Sequence, residues 1–195
     1  MPAETLTLHG ALCLLRAFRS DELDLLVAAR TAAAAFAPVR EPGGRLRERL
    51  RRRIETSGRV HNGWLEFAIE VDGALVGDVQ ARRPALALPP GVWELGIELY
   101  GTGHRGKGIG REAVALITDH LFTVEGAGRI QASTDVTNAP MRAVLRRLGF
   151  AEEGVLRGFM PDSAADGPRH DYIMAGVTRD AWAAGSAARA AATRR

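Results

Sequence analysis

Apolar residues recur along the chain with two spacings, and each spacing predicts a different element. Alternation of apolar and polar residues predicts strands, including two short ones around His9-Gly10 and a hairpin that turns at Asp72-Gly73. Spacings of three and four residues predict helices. The predicted strands are two within 5–18, two within 64–84 and single strands over 92–100, 129–137 and 172–177; the predicted helices cover 20–36, 45–58, 111–124 and 138–149. This order predicts an α+β domain with a largely antiparallel sheet and about four helices.

Each predicted helix carries its apolar residues on one side. Ser20 is the predicted N-cap of the first helix, and Asn138, with Pro140 after it and Gly149 beyond the end, frames the fourth. Cys13 lies within the apolar run ALCLL, so we interpret it as a core residue and not as a nucleophile. In the first helix Leu23, Leu26, Val27 and Arg30 share the helical spacing, and the side chains predicted to lie on the apolar side of the next two helices are Leu46, Leu50, Ile54, Val114, Ile117, Leu121 and Val124.

The composition indicates one globular domain, which we place at residues 1–182, followed by a low-complexity tail over 183–195. Neither a signal peptide nor a membrane-spanning apolar run is visible, so we expect a cytoplasmic protein without a membrane partner. The single cysteine excludes a disulfide framework, and the five histidines show no metal-ligand spacing. The net charge of +3 permits an anionic ligand, but the few scattered aromatic residues do not favour nucleic acid.

The glycine-rich stretch GTGHRGKGIG, residues 101–110, overlaps three phosphate-binding patterns. A nucleotide-triphosphate loop needs a serine or threonine hydroxyl for magnesium directly after Lys107, and Gly108 has no side chain to offer. A dinucleotide fingerprint needs its helix to begin at the fingerprint and an acidic residue about 20 positions further on. Here the helix is predicted to begin near Gly110, and the acidic residue of the next strand, Asp135, is too distant.

The third pattern, formed by Arg105, Gly106, Gly108 and Gly110, needs only what the sequence contains. These glycines free the backbone to curl, so that successive N–H groups converge on one point. The helix that follows adds the positive end of its dipole, and the side chains of Arg105 and Lys107 add charge. The stretch therefore predicts a pyrophosphate pocket that works without magnesium.

At this point the sequence resembles the GNAT superfamily of acyl-CoA-dependent N-acetyltransferases. RGKGIG matches that family's coenzyme A loop, (Q/R)-x-x-G-x-(G/A), and the strand WELGIEL ends just before it. NAPMRAVLRRLGF, residues 138–150, is similar to the family's N-x-x-(S/A) segment ending in LGF. LLRAFRSDELDLL near the start and HDYIMAGVTRDAW near the end resemble the branch that acetylates the N-termini of ribosomal proteins. The resemblance covers residues from about 5 to 182.

The resemblance implies the GNAT fold, a mixed and mostly antiparallel sheet of six or seven strands flanked by about four helices. It implies a V-shaped opening between the strands 92–100 and 129–136, in which acetyl-CoA binds as cosubstrate without a metal. The pantetheine arm would bond the backbone around Leu99 and Tyr100, and the pyrophosphate would lie on the amides of 106–111. The coenzyme-binding residues implied in this way are Leu99, Tyr100, Arg105, Gly106, Lys107, Gly108, Ile109, Gly110, Arg111 and Asn138. For Asn138, a plain helix cap is an equally good interpretation, and both roles are compatible.

Two glutamates share one face of the strand 92–100. Regular alternation places Glu94 and Glu98 on the side opposite Trp93 and Leu95. Glu94 stands eleven residues before Arg105, where many family members carry a general base, so the resemblance implies Glu94 as the first candidate base and Glu98 as the second. The alternative is a solvated strand face with ordinary carboxylates. A spacing of about 13 Å at ~3.3 Å per residue does not suit a glycosidase pair.

The positions at which many relatives carry an acid for the departing thiolate hold Met141 and Leu145, which we interpret as core. Tyr100, His170 and Tyr172 are the remaining candidate donors. We therefore expect an N-acetyltransferase acting on a primary amine of a protein N-terminus or a small molecule, with a homodimer as a further expectation. The rival hypotheses are a non-catalytic acyl-CoA-binding sensor module, which the missing acid motivates, and an arginine-rich RNA-binding protein.

Overall fold

The computed structural model describes residues 5–32, 43–83, 87–162 and 167–186. Within them the strands are β1 (Leu8–His9), β2 (Leu14–Arg16), β3 (Trp64–Val71), β4 (Ala74–Arg82), β5 (Val92–Leu99), β6 (Arg129–Asp135), β7 (Ala151–Met160) and β8 (His170–Thr178). The helices are α1 (Leu23–Ala32), α2 (Gly43–Thr56), α3 (Ile109–Thr123), α4 (Ala139–Arg147) and α5 (Arg179–Ala184), and a 3₁₀ turn over Ser20–Glu22 precedes α1.

All eight strands join one mixed sheet in the order β1-β2-β3-β4-β5-β6-β8-β7. Neighbouring strands are antiparallel except β5 and β6, which run parallel. The predicted α+β class and the mostly antiparallel sheet are confirmed, but the described residues hold eight strands and five helices instead of six or seven strands and about four helices. The strand that the sequence pattern missed is β7, which lies at the sheet edge and is largely exposed, so its apolar residues do not alternate. The missed helix, α5, is too short to show a helical period.

Apolar side chains pack on both faces of the sheet. On one face, α3 buries Val114, Ile117 and Leu121 against a large cluster that includes Trp93 and Leu95 of β5. On the other face, α1 and α2 cover a smaller cluster that includes Leu26, Leu50 and Tyr100. The predicted alternation of β5 is therefore confirmed, and the face with Glu94 and Glu98 is the one beneath α1 and α2.

Several local predictions are confirmed. Asn138 caps α4 by accepting a hydrogen bond from the Met141 amide at 3.2 Å, and Gly149, just past the end of this helix, has a φ of +88°. Cys13 is buried, and that burial, with the nearby Glu112 carboxylate, raises the pKa of its thiol to about 12. A thiol of this kind is a core side chain and a poor nucleophile at neutral pH.

Two local predictions are wrong. Val124 is 67% exposed, because α3 ends at Thr123 and the next residue leaves the buried side of the helix. Ser20 does not cap α1; it begins the 3₁₀ turn, in which Glu22 accepts the Arg19 amide at 2.7 Å. The predicted helical residues 33–36 and the tail from 187 onward lie outside the described residues, and the domain boundaries stay a prediction. No helix in the described ranges combines the length and apolar character needed to cross a bilayer.

Candidate active site

The sheet opens between β5 and β6. These parallel strands pair over four residues each, from Val92 opposite Arg129 to Leu95 opposite Ala132. Beyond this point Gly96–Leu99 pairs with β4 alone, while Ser133–Asp135 pairs with β8 alone. The second half of β5 thus presents a backbone edge without a strand partner, and the predicted V-shaped opening is present at the predicted place.

A curled loop follows the end of β5 and leads into α3. Gly106 and Gly108 have φ values of +75° and +87°, in the left-handed region that favours glycine. Gly108 is the residue immediately before the first turn of α3. Within the described part of the chain, no group accepts a hydrogen bond from the amides of 106–110. The loop therefore presents free N–H groups at the positive end of a helix dipole, which is the chemistry of an anion site.

Leu99 and Tyr100, the two predicted coenzyme contacts at the end of β5, differ in position and in the hydrogen bonding of their backbone. Leu99 is the last residue of the strand and borders the opening. The amide of Tyr100 donates to the Val76 carbonyl at 2.8 Å and is not free for a ligand. The side chain of Tyr100 lies on the face of the sheet beneath α1 and α2, where its hydroxyl donates a hydrogen bond to Asp78 at 2.6 Å.

The opposite wall of the opening is formed by β6 and α4. Asn138 uses its side-chain oxygen for the α4 cap, and its nitrogen donates to the Thr134 hydroxyl at 3.0 Å. Leu145 is fully buried and Met141 packs against the same core cluster. The interpretation of these two residues as core is confirmed, so neither position supplies an acid to the opening.

Three carboxylates form a row across neighbouring strands on the face beneath α1 and α2. Glu66 of β3, Asp78 of β4 and Glu98 of β5 make up this carboxylate row. Arg30 of α1 binds Asp78 and Glu98, and Arg53 of α2 binds Glu66 at 2.6 Å and lies 3.5 Å from Asp78. Each helix therefore supplies one guanidinium to a row that holds three carboxyl groups.

Of this row, the sequence patterns indicate only Glu98 as a site residue. Glu66, Asp78 and Arg30 each stand among apolar residues of their element, as Asp78 does in ALVGDVQAR, whereas Arg53 lies in the arginine-rich stretch RLRERLRRR. A charge on an otherwise buried face is the signal that identifies such positions, because it requires a partner. The counter-ions come from elements distant in sequence, which periodicity does not reveal.

Glu94 and Glu98 lie in different surroundings. Glu94 is in the closed part of the sheet, opposite Arg82 in the register, and forms an ion pair with that arginine at 2.5 Å. Glu98 is in the open half of β5, opposite Asp78. Burial, together with the Asp78 charge, raises the pKa of Glu98 above its ordinary value against the opposing effect of Arg30.

Two further candidate donors lie near the end of β6. The ring nitrogens of His170 lie 3.5 Å from Asp135 and 3.3 Å from Asp162. Hydrogen bonds from Thr137, followed by the effect of His170, hold the pKa of Asp135 below its usual range. Burial and the Asp135 charge raise the pKa of Tyr172. The pKa of Tyr100 is raised further, first by burial and then by Asp78, so this hydroxyl stays protonated at neutral pH.

The β1–β2 turn is fixed to the first turn of α3. The carboxylate of Glu112 accepts the backbone amides of Ala11, Leu12 and Cys13 at 2.9, 2.7 and 2.9 Å. Leu12 lies over the glycine loop, with a methyl carbon 3.1 Å from where a Cβ on Gly108 would lie. These contacts join the N-terminal strands to the candidate anion site, and no sequence pattern indicated them.

An open cavity of about 400 Å³ lies between α1 and β4. Aliphatic side chains of α1 and β4 line it, with Tyr100 and His104 at its margin. Among the described residues no group of three or more histidine, cysteine or acidic side chains has the arrangement of a metal site.

The family model of the acetyltransferase (GNAT) domain matches residues 13–151, and the chain belongs to this family. The resemblance inferred from the glycine loop is thereby confirmed, and with it the expected fold. The enzymes of this family are acyl-CoA N-acetyltransferases that use acetyl-CoA as cosubstrate.

Known proteins show the same relationship. An uncharacterized N-acetyltransferase p20 of Bacillus licheniformis is 39% identical over 66 residues, and the match spans 34% of this chain and only 36% of that relative. Mycobacterium smegmatis RimJ, solved in complex with CoA-disulfide, has a TM-score of 0.71 at 25% identity, over 94% of this chain and 92% of RimJ. Ribosomal-protein-S5-alanine acetyltransferase from Vibrio fischeri, at 22% identity, shares the fold with a TM-score of 0.75 over 91% of this chain and 98% of its own.

Proposed function

We propose that this protein transfers the acetyl group of acetyl-CoA to a primary amine. The observation that carries the proposal is the junction of two features: a β5 edge without a strand partner and, directly after it, a loop whose amides at 106–110 have no acceptor among the described residues. A ligand with an extended arm and a diphosphate end suits this junction. RimJ of Mycobacterium smegmatis, which shares the fold, was solved with a coenzyme A derivative.

The proposed contacts to the coenzyme follow from the backbone and side-chain groups that remain available for hydrogen bonds. The backbone of Leu99 and the carbonyl of Tyr100 suit a pantetheine arm, since the Tyr100 amide is already bonded. The amides of Gly106, Lys107, Gly108, Ile109 and Gly110, which have no acceptor among the described residues, suit the pyrophosphate, with the side chains of Arg105 and Lys107 adding positive charge. Arg111, in the first turn of α3, is a further contact that the family pattern implies. Asn138 contributes through the amide hydrogen that remains after its bond to Thr134.

The reaction needs a neutral amine and a proton acceptor. The amine nitrogen attacks the thioester carbonyl carbon, an N–C bond forms, the C–S bond breaks and the nitrogen loses a proton to a base. We propose Glu98 for this proton, because it lies in the open half of β5 and burial raises the pKa of its carboxyl group. Glu94, which the family pattern favours, is the second candidate. Water supplies the proton to the departing thiolate, whose thiol has a pKa of about 8.5.

The acceptor class follows from the same chemistry. An α-amine has a pKa of about 8 and a lysine side chain one of about 10.4, so deprotonating the lysine costs roughly 3 kcal/mol more. A protein N-terminus or a small α-amine is therefore the favoured acceptor, in line with the names of the ribosomal-protein acetyltransferases that share the fold. The apolar cavity between α1 and β4, which Tyr100 lines, suits the uncharged part of such an acceptor. The cytoplasmic location and the homodimer remain predictions.

Two measurements test the proposal. Calorimetry with acetyl-CoA in EDTA should show saturable binding, because the loop needs no magnesium; absence of heat at millimolar coenzyme would contradict the proposal. A panel of peptides and small amines, scored by release of free coenzyme thiol, should then identify an acceptor. Tight binding without thiol release across the panel would favour the non-catalytic acyl-CoA-binding module instead.

A further inference from the structure

Asp78 and Glu98 lie directly opposite each other on β4 and β5. Two like charges in this arrangement destabilise a sheet unless a cation lies between them. Arg30 of α1 is that cation: its guanidinium donates to both carboxylate oxygens of Asp78, at 2.8 and 2.7 Å, and also to Glu98. The two carboxylates therefore share one guanidinium.

The members of the carboxylate row differ in access to solvent. The side chain of Asp78 is 2% exposed and that of Glu66 is 8% exposed, whereas that of Glu98 is 25% exposed. Asp78 also accepts the hydroxyl of Tyr100. Asp78 is thus an internal anchor, and Glu98 is the carboxyl group of the row that a substrate reaches.

We propose that Arg30 and Asp78 are positioning residues for Glu98, an inference that rests on the proposed function. Arg30 fixes the orientation of the Glu98 carboxylate beside the opening. Asp78 takes two hydrogen bonds of the same guanidinium and so limits how far Arg30 neutralises Glu98. The pair acts on the proton affinity of Glu98 in opposite directions, which keeps an oriented carboxylate able to accept a proton.

The charged groups that face Glu98 come from three elements. Arg30 reaches it from α1, Asp78 from β4 and the charge of Arg53 from α2, while the hydroxyl of Tyr100, which directly follows β5, acts on it through Asp78. Burial and Asp78 raise the pKa of Glu98, and Arg30 and Arg53 lower it. The balance lies above the ordinary value, which makes the Glu98 carboxylate a stronger proton acceptor than an ordinary glutamate.

Removing either partner should displace the pH profile, with opposite signs. A base acts when deprotonated, so kcat/KM rises with pH through the pKa of Glu98. In Asp78→Asn the negative charge opposite Glu98 is lost and Arg30 pairs with Glu98 alone. The pKa of Glu98 therefore falls, and the rise in kcat/KM moves to lower pH. In Arg30→Met the cation is lost and the rise moves to higher pH. A charge at this range changes a pKa by about one unit or more, so activity on the rising limb should change about tenfold at fixed pH.

Matched variants separate this role from a loss of folding. Arg30→Lys keeps the charge without the planar fork and should restore the wild-type pH limb with a lower kcat. Arg82→Met removes the ion-pair partner of Glu94 and should leave the limb in place. Arg47→Met removes an exposed arginine of α2 that pairs with Asp24, and it should change neither the position of the pH limb nor kcat.

The experiment measures kcat/KM against pH for these variants and, independently of any acceptor, the ¹³C chemical shift of the Glu98 carboxyl group against pH. Opposite displacements in Asp78→Asn and Arg30→Met support the inference. Where Asp78→Asn fails to fold, the contrast between Arg30→Met and Arg30→Lys decides. Displacement by Arg82→Met alone, or no displacement of the carboxyl titration, would overturn the inference. An absence of transfer in the wild type would instead contradict the proposed function.

Discussion

The two halves of β5 belong to one strand yet meet different neighbours. Val92–Leu95 is paired to β6, with Glu94 and Leu95 paired to β4 as well, and Glu94 there binds Arg82. Gly96–Leu99 is paired on one side, and Glu98 there shares Arg30 with Asp78. Both glutamates face the same side of the sheet, so residue type and strand face do not distinguish them. The free backbone edge and the shared counter-ion do.

The difference assigns separate tasks to the two halves. The closed half joins β5 to β6 and contains the fully buried Trp93. The open half leaves backbone groups for a ligand and places beside them a carboxyl group with a raised pKa. The strand pairing of β5 and its proposed role thus both change at about residue 96.

The largest predicted effect compares the two glutamates. Glu98→Gln should lower kcat about a hundredfold or more, the typical contribution of a general base, with little change in acetyl-CoA affinity. Glu94→Gln should cost much less, because this carboxylate is held by Arg82 in the closed half. Steady-state thiol release measures both. A greater loss in Glu94→Gln would break the comparison and return the role to the residue that the family pattern favours.

The second effect compares two glycines of similar backbone conformation. Gly108→Ala forces a side chain into the left-handed region, at about 1–2 kcal/mol, and toward Leu12, so acetyl-CoA affinity should fall about tenfold. Gly126 has a φ of +70° but lies beyond α3 with open space around it. Gly126→Ala should therefore lower the stability of the protein and leave its affinity for acetyl-CoA unchanged. Calorimetry and thermal unfolding separate the two. Equal affinity losses in both variants would mean that strain acts globally and not at the loop.

The smallest effect concerns the wall opposite β5. Asn138→Ala removes the α4 cap and should lower the free energy of unfolding by about 1 kcal/mol. Asn138→Ser keeps a capping oxygen and should retain that stability while losing the amide proposed to meet the coenzyme. Chemical denaturation with calorimetry distinguishes the roles. Unchanged affinity in Asn138→Ser would leave this residue as a cap alone.

Much of the fold follows from local patterns, because alternation and helical spacing are visible along the chain. The faces of β5, the cap at Asn138 and the curled loop with Gly106 and Gly108 are of this kind. Partners that come from distant elements are not. Arg30 meets Glu98 and Glu112 meets the amides of the β1–β2 turn across 68 and about 100 residues, and no period records such pairs. The exposed edge strand β7 was missed since it lacks a buried face.

The central claim is that the open half of β5 and the loop after it bind acetyl-CoA. Amide NMR of ¹⁵N-labelled protein, titrated with acetyl-CoA in EDTA, tests it most directly. The account predicts saturable shifts at Gly96–Leu99 and at 106–110, with smaller shifts at Val92–Leu95. Saturation with the loop amides unmoved and the largest shifts elsewhere would contradict it.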